Sequence, residues 1–447
     1  MRSGRYALAG VAAAVLLAGC GGSQPASGAP GVMPQAPSLA ERTDSANYKV
    51  LYRFRGGASD GANPQAALVE AGSKLYGTTV AGGPNTASGC YYVSCGTVFS
   101  VTLNGKEKVL HTFGIRGDGH NPEAGLIEVG GTFYGTTSSG GSAVCAGSGY
   151  GDCGAVFAMT PSGAEKLLYS FSGPPDGEYP FGGLIDVNGA LYGTTVGGGQ
   201  YSCRFSCTGG GTIFSITPSG SEKVVYSFHY YGGKDGNRPY AGVIDVGGTL
   251  YGTTQSGGQY KRRRLCGGCG TVFSVTLGGK EKVLHSFGQG MDGTTPVASL
   301  INVNGTLYGT TQYGGEYGSH YCTGGCGTVF SIAPSGQETV LHSFGSGTDG
   351  KQPKASLIDV NGTLYGTTQY GGAYRRSYCG GGCGTVFSIT PSGQETVLHS
   401  FGSGTDGSNP VAALTDVNGT LYGTTRYGGG HNTNCDRSCG TIFKIAP

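Results

Sequence analysis

The pentapeptide Leu75-Tyr76-Gly77-Thr78-Thr79 decides how this chain is read. It recurs, with one Leu-to-Phe change, from Phe133, Leu191, Leu250, Leu307, Leu364 and Leu421, at steps of 58, 58, 59, 57, 57 and 57 residues. Seven copies at so even a period mean one supersecondary unit repeated. Length alone, 447 residues, would suggest about three domains. The period overrides that prior, because the repeats fill almost everything after residue 46.

Working outward through the fifth copy, residues 296–303 alternate and end at Asn304-Gly305, a strong hairpin signal. Residues 306–311 follow as a second strand, then a glycine- and cysteine-rich loop, then 327–332 as a third. Pro334-Ser335-Gly336 makes a tight turn into a fourth strand, 338–344. The runs are short, β-branched and aromatic, and none carries a helical period. The 91 glycines recur at fixed offsets between them, so they mark turns in a folded protein.

A four-stranded meander that is apolar on both faces cannot bury itself alone, but seven can stack radially and close. The chain ends sharpen the argument. The last unit stops at its third strand, 440–445, while the ordered region begins with 48–54, which reads as a fourth strand without a unit. The expected fold is therefore all-β: a seven-bladed β-propeller of four-stranded antiparallel blades, closed by strand 48–54 completing the last blade. Closure removes exposed sheet edges.

The whole pattern, with its recurrent Asp-Gly and Pro before the first strand, resembles the GloVer (Gloeobacter–Verrucomicrobia) tandem repeat of bacterial surface proteins. The resemblance covers residues 47–447. It implies a kelch-like propeller and no established activity, and fold does not settle function.

Arg2 and Arg5 precede an apolar run, residues 7–18, too short to span a bilayer. It ends in Leu17-Ala18-Gly19-Cys20, which looks like a bacterial lipobox, so residues 1–20 read as a lipoprotein signal peptide with Cys20 as the lipidated site. Gly21 after the cysteine resembles the outer-membrane default. Residues 21–46, rich in Gly, Ser, Ala and Pro, read as a flexible tether. The expected address is exported and lipid-anchored to the bacterial cell envelope, in the outer membrane.

Apart from Cys20, the cysteines form one pair in each loop between second and third strands: Cys90/Cys95, Cys145/Cys153, Cys203/Cys207, Cys266/Cys269, Cys322/Cys326, Cys379/Cys383 and Cys435/Cys439. An oxidising compartment turns such pairs into disulfides, expected here to shape each loop more than they hold the fold. Only Cys266/Cys269 has a metal-like CxxC gap, so no metal or cofactor is expected.

In a meander blade the loops after strands two and four share one face, and that face carries every cysteine loop. Binding residues usually sit on such loops. Lys261, Arg262, Arg263 and Arg264 with Arg375 and Arg376 break the symmetry there. Tyr260, Tyr313, Tyr317, Tyr370, Tyr374 and Tyr427 complete a candidate basic and aromatic ligand surface. Asp60, Asp118, Asp176, Asp235, Asp292, Asp349 and Asp406 could ring the axis around a cation, but Asp-Gly turns explain them more simply. His111, His285, His342 and His399 share a position with Tyr52, Tyr169 and Tyr226, which argues for packing or solvent exposure over metal ligation. Asn304, Asn361 and Asn418 match a glycosylation sequon but read as hairpin turns.

Charged residues are 12 % of the chain and the net charge is +2, so nothing favours nucleic acid. No nucleophile elbow, HExxH or phosphate loop occurs, and Glu178, His120, His320, His431 and Asp436 sit in variable loops without an evident partner. The sequence favours a monomeric, membrane-anchored binding or scaffold module for a glycan or a surface protein. The alternative is a carbohydrate-active enzyme, lyase or hydrolase, at the axial pocket. Non-repeated acids, His or Arg meeting at that pocket would favour the enzyme; repeated Gly, Thr and Asp would disfavour it.

Overall fold

A computed structural model describes residues 47–447, except 86–89, 91–93, 116, 144, 146–151, 202–208, 231–232, 262–265, 267, 321, 334, 377–378, 380, 431–434 and 436–437. These residues build seven four-stranded antiparallel sheets, each in meander order. In the fifth blade the strands are Ile301–Val303, Thr306–Thr311, Thr328–Ile332 and Glu338–Ser343. Asn304 and Gly305 turn the first hairpin with φ of 52° and 85°, the left-handed pair that matches strand twist.

The seam lies where the unpaired ends required it. Tyr48–Arg53 runs antiparallel to Thr441–Ile445, with Tyr48 opposite Ile445 and Arg53 opposite Thr441. The seventh blade thus takes its outermost strand from the N-terminal side of the propeller.

The first strand is shorter than its sequence pattern suggests. Only residues 301–303 of the expected 296–303 join the ladder. The reason is that the preceding stretch spends its polar groups across the blade boundary. Thr253 Oγ1 of the fourth blade donates to the Ala298 carbonyl at 3.0 Å, and Ser299 Oγ donates to the Gly242 carbonyl at 3.0 Å.

The repeated pentapeptide explains the assembly residue by residue. Its first residue, leucine in six blades and Phe133 in blade two, is buried throughout. Its glycine lies under a phenylalanine of the third strand: a Cβ on Gly309 would sit 2.6 Å from Phe330 Cζ. Its first threonine donates to a backbone carbonyl of the next blade, from Thr78 to Ala124 at 3.0 Å around to Thr424 and Ala66 at 3.4 Å. Intermediate links run through Thr136, Thr194, Thr253, Thr310 and Thr367, so the circle is complete. Outside blade two its second threonine pairs with a threonine of the third strand, as Thr311 does with Thr328 at 2.8 Å.

A second circle is apolar. The phenylalanine after each fourth strand meets the third-strand phenylalanine of the following blade edge to face, as Phe287 meets Phe330 at 5.1 Å. Phe54 closes that circle on Phe99, also at 5.1 Å. This geometry suits the ring quadrupoles and places the core between blades, not within them.

Six of the cysteine pairs are in disulfide-capable positions. The Cα atoms are 4.9 Å apart in Cys90/Cys95, 5.2 Å in Cys145/Cys153 and 5.2 Å in Cys266/Cys269. They are 5.1 Å apart in Cys322/Cys326, 5.0 Å in Cys379/Cys383 and 5.5 Å in Cys435/Cys439. Cys203 and Cys207 lie outside the described residues.

These pairs lie in the loops between second and third strands, as expected, and the structure adds that their second members reach the core. Cys95, Cys153, Cys269, Cys326, Cys383 and Cys439, the second member of each described pair, are all fully buried. Cys269 packs with Phe287 and Phe330, Cys383 with Phe401 and Phe443, and Cys439 with Phe54 and Phe99. The reason is positional. Each of these cysteines stands directly before the glycine that opens the third strand, where the chain has already turned into the interblade core. Its carbonyl is also engaged by the following blade: Thr295 N donates to Cys269 at 2.8 Å, Asn409 N to Cys383 at 2.7 Å and Asn63 N to Cys439 at 2.8 Å. Cys269, Cys383 and Cys439 are thus part of the core and of the blade junction, and their side chains are not offered to a ligand at the rim.

Candidate functional site at the propeller axis

Each blade enters its innermost segment through a strained corner. Asn63, Asn121, Tyr179, Arg238, Thr295, Gln352 and Asn409 all precede a proline, and all have φ between 55° and 61°. Left-handed backbone is costly for residues other than glycine, above all for β-branched Thr295. The corner is held because its N–H donates into the preceding blade. Asn121 N reaches the Cys95 carbonyl at 2.8 Å and Gln352 N reaches Cys326 at 2.7 Å, as in the three junctions above. In the third blade the second cysteine lies three residues earlier, and the Gly210 carbonyl takes Arg238 N at 2.8 Å instead.

The residue after each proline faces a cavity of about 360 Å³. All seven blades contribute to it, which puts it on the axis. The position holds Gln65, Glu123, Phe181, Tyr240, Val297, Lys354 and Val411 in turn, and Gln255, Gln312 and Arg426, from the position after the pentapeptide, complete the wall. Both positions lie at the cysteine-loop end of the two inner strands. The repeat is therefore varied where it meets the axis, although its strands are nearly uniform.

Going round the ring, Lys354 and Arg426 come from blades six and seven, and Phe181 and Tyr240 from blades three and four, across the axis. The two aromatic rings are 5.2 Å apart and inclined by 33°. Burial pushes the Glu123 carboxyl up to about 7, opposed by the attraction of Arg426 and a hydrogen bond from Ser138. Burial pushes the Lys354 ammonium down, and the like charge of Arg426 adds to this. Burial also raises Tyr240, with Arg238 opposing and Glu123 reinforcing. The Arg426 guanidinium lies over the Tyr427 ring, 5.1 Å from its centroid.

The tyrosines and arginines singled out from the sequence fall into two sets. Tyr313, Tyr370 and Tyr427 directly follow Gln312, Gln369 and Arg426, beside the axial wall, and Gln312 Nε2 donates to the Tyr313 hydroxyl at 3.1 Å. Burial raises Tyr313, and Tyr370 adds to the shift. Tyr260, Tyr317, Tyr374, Arg375 and Arg376 stand apart on the cysteine loops, where Arg376 Nε donates to the Gly402 carbonyl at 2.8 Å. Arg262, Arg263 and Arg264 lie outside the described residues.

The seven aspartates are bonded to the outermost strands, away from the axis. Tyr52 donates to Asp60 at 2.9 Å, and His342 Nε2 lies 3.0 Å from Asp349. Tyrosine and histidine interchange at this position because each carries a donor at the far end of its ring. That role goes beyond the packing or exposure expected from sequence. A glutamate from the next blade joins the pair, so that in two seams His111, Asp118 and Glu165, and His342, Asp349 and Glu395, bring ligand atoms within 4.8 Å of one another. Blades carrying tyrosine build the same seam, so metal ligation is not its rationale.

Glu178 is buried against the cysteine pair of its blade, its Oε2 3.5 Å from Cys145 Sγ. Burial pushes its carboxyl up to about 7, opposed by a hydrogen bond from the Gly198 backbone. His120 is buried with Nε2 3.5 Å from Asp152, and His320 is exposed. None of these three lines the axial cavity, and His431 and Asp436 lie outside the described residues. A wider concavity of about 550 Å³ opens between blades two and three, bounded by Tyr169, Asp176 and Glu222 of the repeated seam.

Disulfide-capable pairs in such number point to an oxidising location outside the cytoplasm.

The sequence profile of the Gloeobacter/Verrucomicrobia repeat matches residues 35–203, 142–376 and 263–447, nearly the whole chain. The chain belongs to this repeat family. No curated protein is significantly similar to it in sequence. Among solved structures, this family member is similar to a puromycin hydrolase, at 13 % identity and a TM-score of 0.47, over 82 % of this chain and 50 % of that one. It thus spans about half the hydrolase's length. It is also similar to hydrazine synthase of Kuenenia stuttgartiensis, at 11 % identity and a TM-score of 0.49 over 92 % and 98 % of the two chains. A third likeness is to the PQQ-bound aldose sugar dehydrogenase of Streptomyces coelicolor, at 13 % identity and 0.42 over 89 % and 97 %. At these identities the likeness is one of fold alone.

What distinguishes the axial ring was present in the sequence as a departure from repetition. The residue after the recurrent proline takes six types in seven copies, whereas the pentapeptide varies once. The louder irregularity, the basic and aromatic cysteine loops, lies on the rim and masks this quieter one.

Proposed function

We propose that this repeat-family protein is a lipid-anchored binding module of the bacterial cell envelope that captures carbohydrate in its axial pocket, on the cysteine-loop face. One observation carries the reading: the repeats lose their uniformity at the ring of residues that meets the axis. A scaffold would keep that ring as regular as the Thr and Phe circles behind it. Aromatic faces with amides and charges around a small cavity suit a polar ligand with apolar ring faces. Cys20 would be the lipidated mature N-terminus and residues 21–46 the tether, holding the propeller as a monomer at the outer membrane.

A glycan array probed with the full chain carrying Cys20→Ser tests the binding. Saturable binding that Phe181→Ala weakens supports the reading, and silence across the array overturns it. The anchor is tested separately by metabolic labelling with a fatty-acid analogue. Label that survives Cys20→Ser, or never appears, removes the anchor.

A second reading, a carbohydrate-active enzyme, draws on Glu123. A carboxyl raised to about 7 in the same cavity as a depressed lysine is matched to acid–base chemistry near neutrality. Glycoside hydrolysis ordinarily takes two carboxylates, and Glu123 is the one carboxylate among the lining residues. Within the enzyme reading this favours a lyase over a hydrolase. Accumulation of unsaturated oligosaccharide that Glu123→Gln abolishes would establish it.

A further inference from the structure

We infer that the axial pocket recognises the carboxylated end of an acidic glycan, with the carboxylate held by Lys354 and Arg426 and the sugar ring laid over Phe181 and Tyr240. This rests on the carbohydrate reading above and narrows it to one ligand chemistry.

Charge comes first. The lining residues carry two cations, Lys354 and Arg426, and one acid, Glu123. The cations stand on adjacent blades; burial first, and then their mutual repulsion, weakens the hold of Lys354 on its proton. An anion between them offsets that repulsion, whereas a neutral ligand leaves Glu123 as the one acid in the lining to balance two cations. The guanidinium fork suits a planar carboxylate, which it can grip with two parallel hydrogen bonds. A doubly charged phosphate would meet Glu123 across the ring and lose part of that gain.

The opposite wall speaks to the rest of the ligand. Phe181 and Tyr240 form a paired aromatic surface. Gln65, Gln255 and Gln312 supply amide donors and acceptors around it, the set that hydroxyls need. An aliphatic carboxylate would leave these groups without partners.

Size sets the mode of entry. A cavity of about 360 Å³ is near the lower limit of small-molecule sites, which begin at about 300 Å³. Blades enclose it on every side, so a glycan enters end-on from the cysteine-loop face.

The test uses the full chain with Cys20→Ser and four defined oligosaccharides by calorimetry. Their terminal residues are a uronic acid, its methyl ester, the corresponding neutral hexose, and a sulfate-bearing hexose. The uronate-ended probe should bind at least about tenfold more tightly than its ester or the neutral probe. Lys354→Met and Arg426→Gln should each remove that preference while leaving the unfolding temperature near that of the parent. Equal binding of uronate, ester and neutral probes overturns the carboxylate inference and leaves the carbohydrate reading standing. A preference for the sulfate-bearing probe also overturns it. Should none of the four bind, both readings fall together.

Discussion

Tyr48 lies flat on His399, with ring centroids 3.8 Å apart and planes 2° from parallel, and its hydroxyl donates to the Asp406 carbonyl. It occupies the place that a glutamate holds in the six other fourth strands. The residue that closes the ring therefore brings an aromatic stack where its siblings bring a charge. Tyr48→Ala should destabilise the propeller by roughly 2–4 kcal/mol, as truncating large aromatic side chains does. Deleting residues 47–54 should leave Thr441–Ile445 as an open edge and produce aggregates on size exclusion. A monodisperse, fully stable deletion variant would mean that the ring is not closed this way.

The pentapeptide glycine should tolerate no methyl group. In Gly309→Ala the new carbon would sit 2.6 Å from Phe330 Cζ and 2.8 Å from Leu300 Cδ2. Overpacking of this kind costs about 1–3 kcal/mol. Gly278→Ala, whose Cβ would have Thr276 Oγ1 as its nearest neighbour at 3.8 Å, is the control and should be nearly neutral in denaturant unfolding.

Blade two has lost one half of a repeated pair. Thr137 Oγ1 is buried without a hydrogen-bond partner, because Ala155 stands where other blades place a threonine. Ala155→Thr should restore the bond and stabilise the protein by about 1 kcal/mol. A loss of stability on calorimetric unfolding would show that the site has collapsed around alanine.

Acidification should stabilise the propeller. Glu107, Glu165, Glu222, Glu281 and Glu338 are all pushed up to about 7, by burial first in every case, with a neighbouring aspartate adding to it. Each binds its proton more tightly folded than unfolded, so the folded chain holds more protons between about pH 4.5 and 7. Stability contributed by these groups is complete below that window and is lost as pH rises through it. Glu222 offers a clean test because its seam partners are Asp176 and Tyr169, with no imidazole in the pair. Glu222→Gln should raise the unfolding temperature at about pH 8 and flatten its slope with pH. An unchanged slope would refute the assignment.

The cysteine bonds and the cysteine side chains should behave differently. Closing so short a loop constrains the unfolded chain by only about 2 kcal/mol, so each bond shapes its loop more than it holds the fold. Thiol titration of the oxidised protein should find the pairs blocked, and reduction should leave the far-ultraviolet β signal intact while lowering the unfolding temperature. Replacing a buried second member is a separate matter: Cys383→Asp should destabilise far more than reduction of its pair, because it puts a charge among Phe401 and Phe443. Fourteen reactive thiols in the oxidised protein would overturn the pairing.

The reach of the sequence was uneven, and for physical reasons. Strand positions and the seam at 48–54 were legible because period-two patterning and paired chain ends are local facts. The first strand reads too long because residues 296–300 look like strand in isolation. Their polar groups instead bond to the neighbouring blade. Cys269, Cys383 and Cys439 read as loop residues because glycine surrounds them, and their burial follows only from the blades on either side. The bond between each aspartate and its His or Tyr is equally invisible along the chain, since nothing there states that a ring donor and a loop carboxylate converge. The axial ring is hidden for a related reason: its members are about 57 residues apart and become neighbours only when the circle closes.

By itself the chain determined its unit, its number of units and the way its ends meet, because repetition and hydrophobic alternation are written residue by residue. Only the tertiary structure decided which positions share a cavity. Glu123, Lys354 and Arg426 carry no mutual signal along the chain, and radial closure alone sets them around one axis. The charge and shape of the candidate site are thus properties of the ring and not of any one repeat.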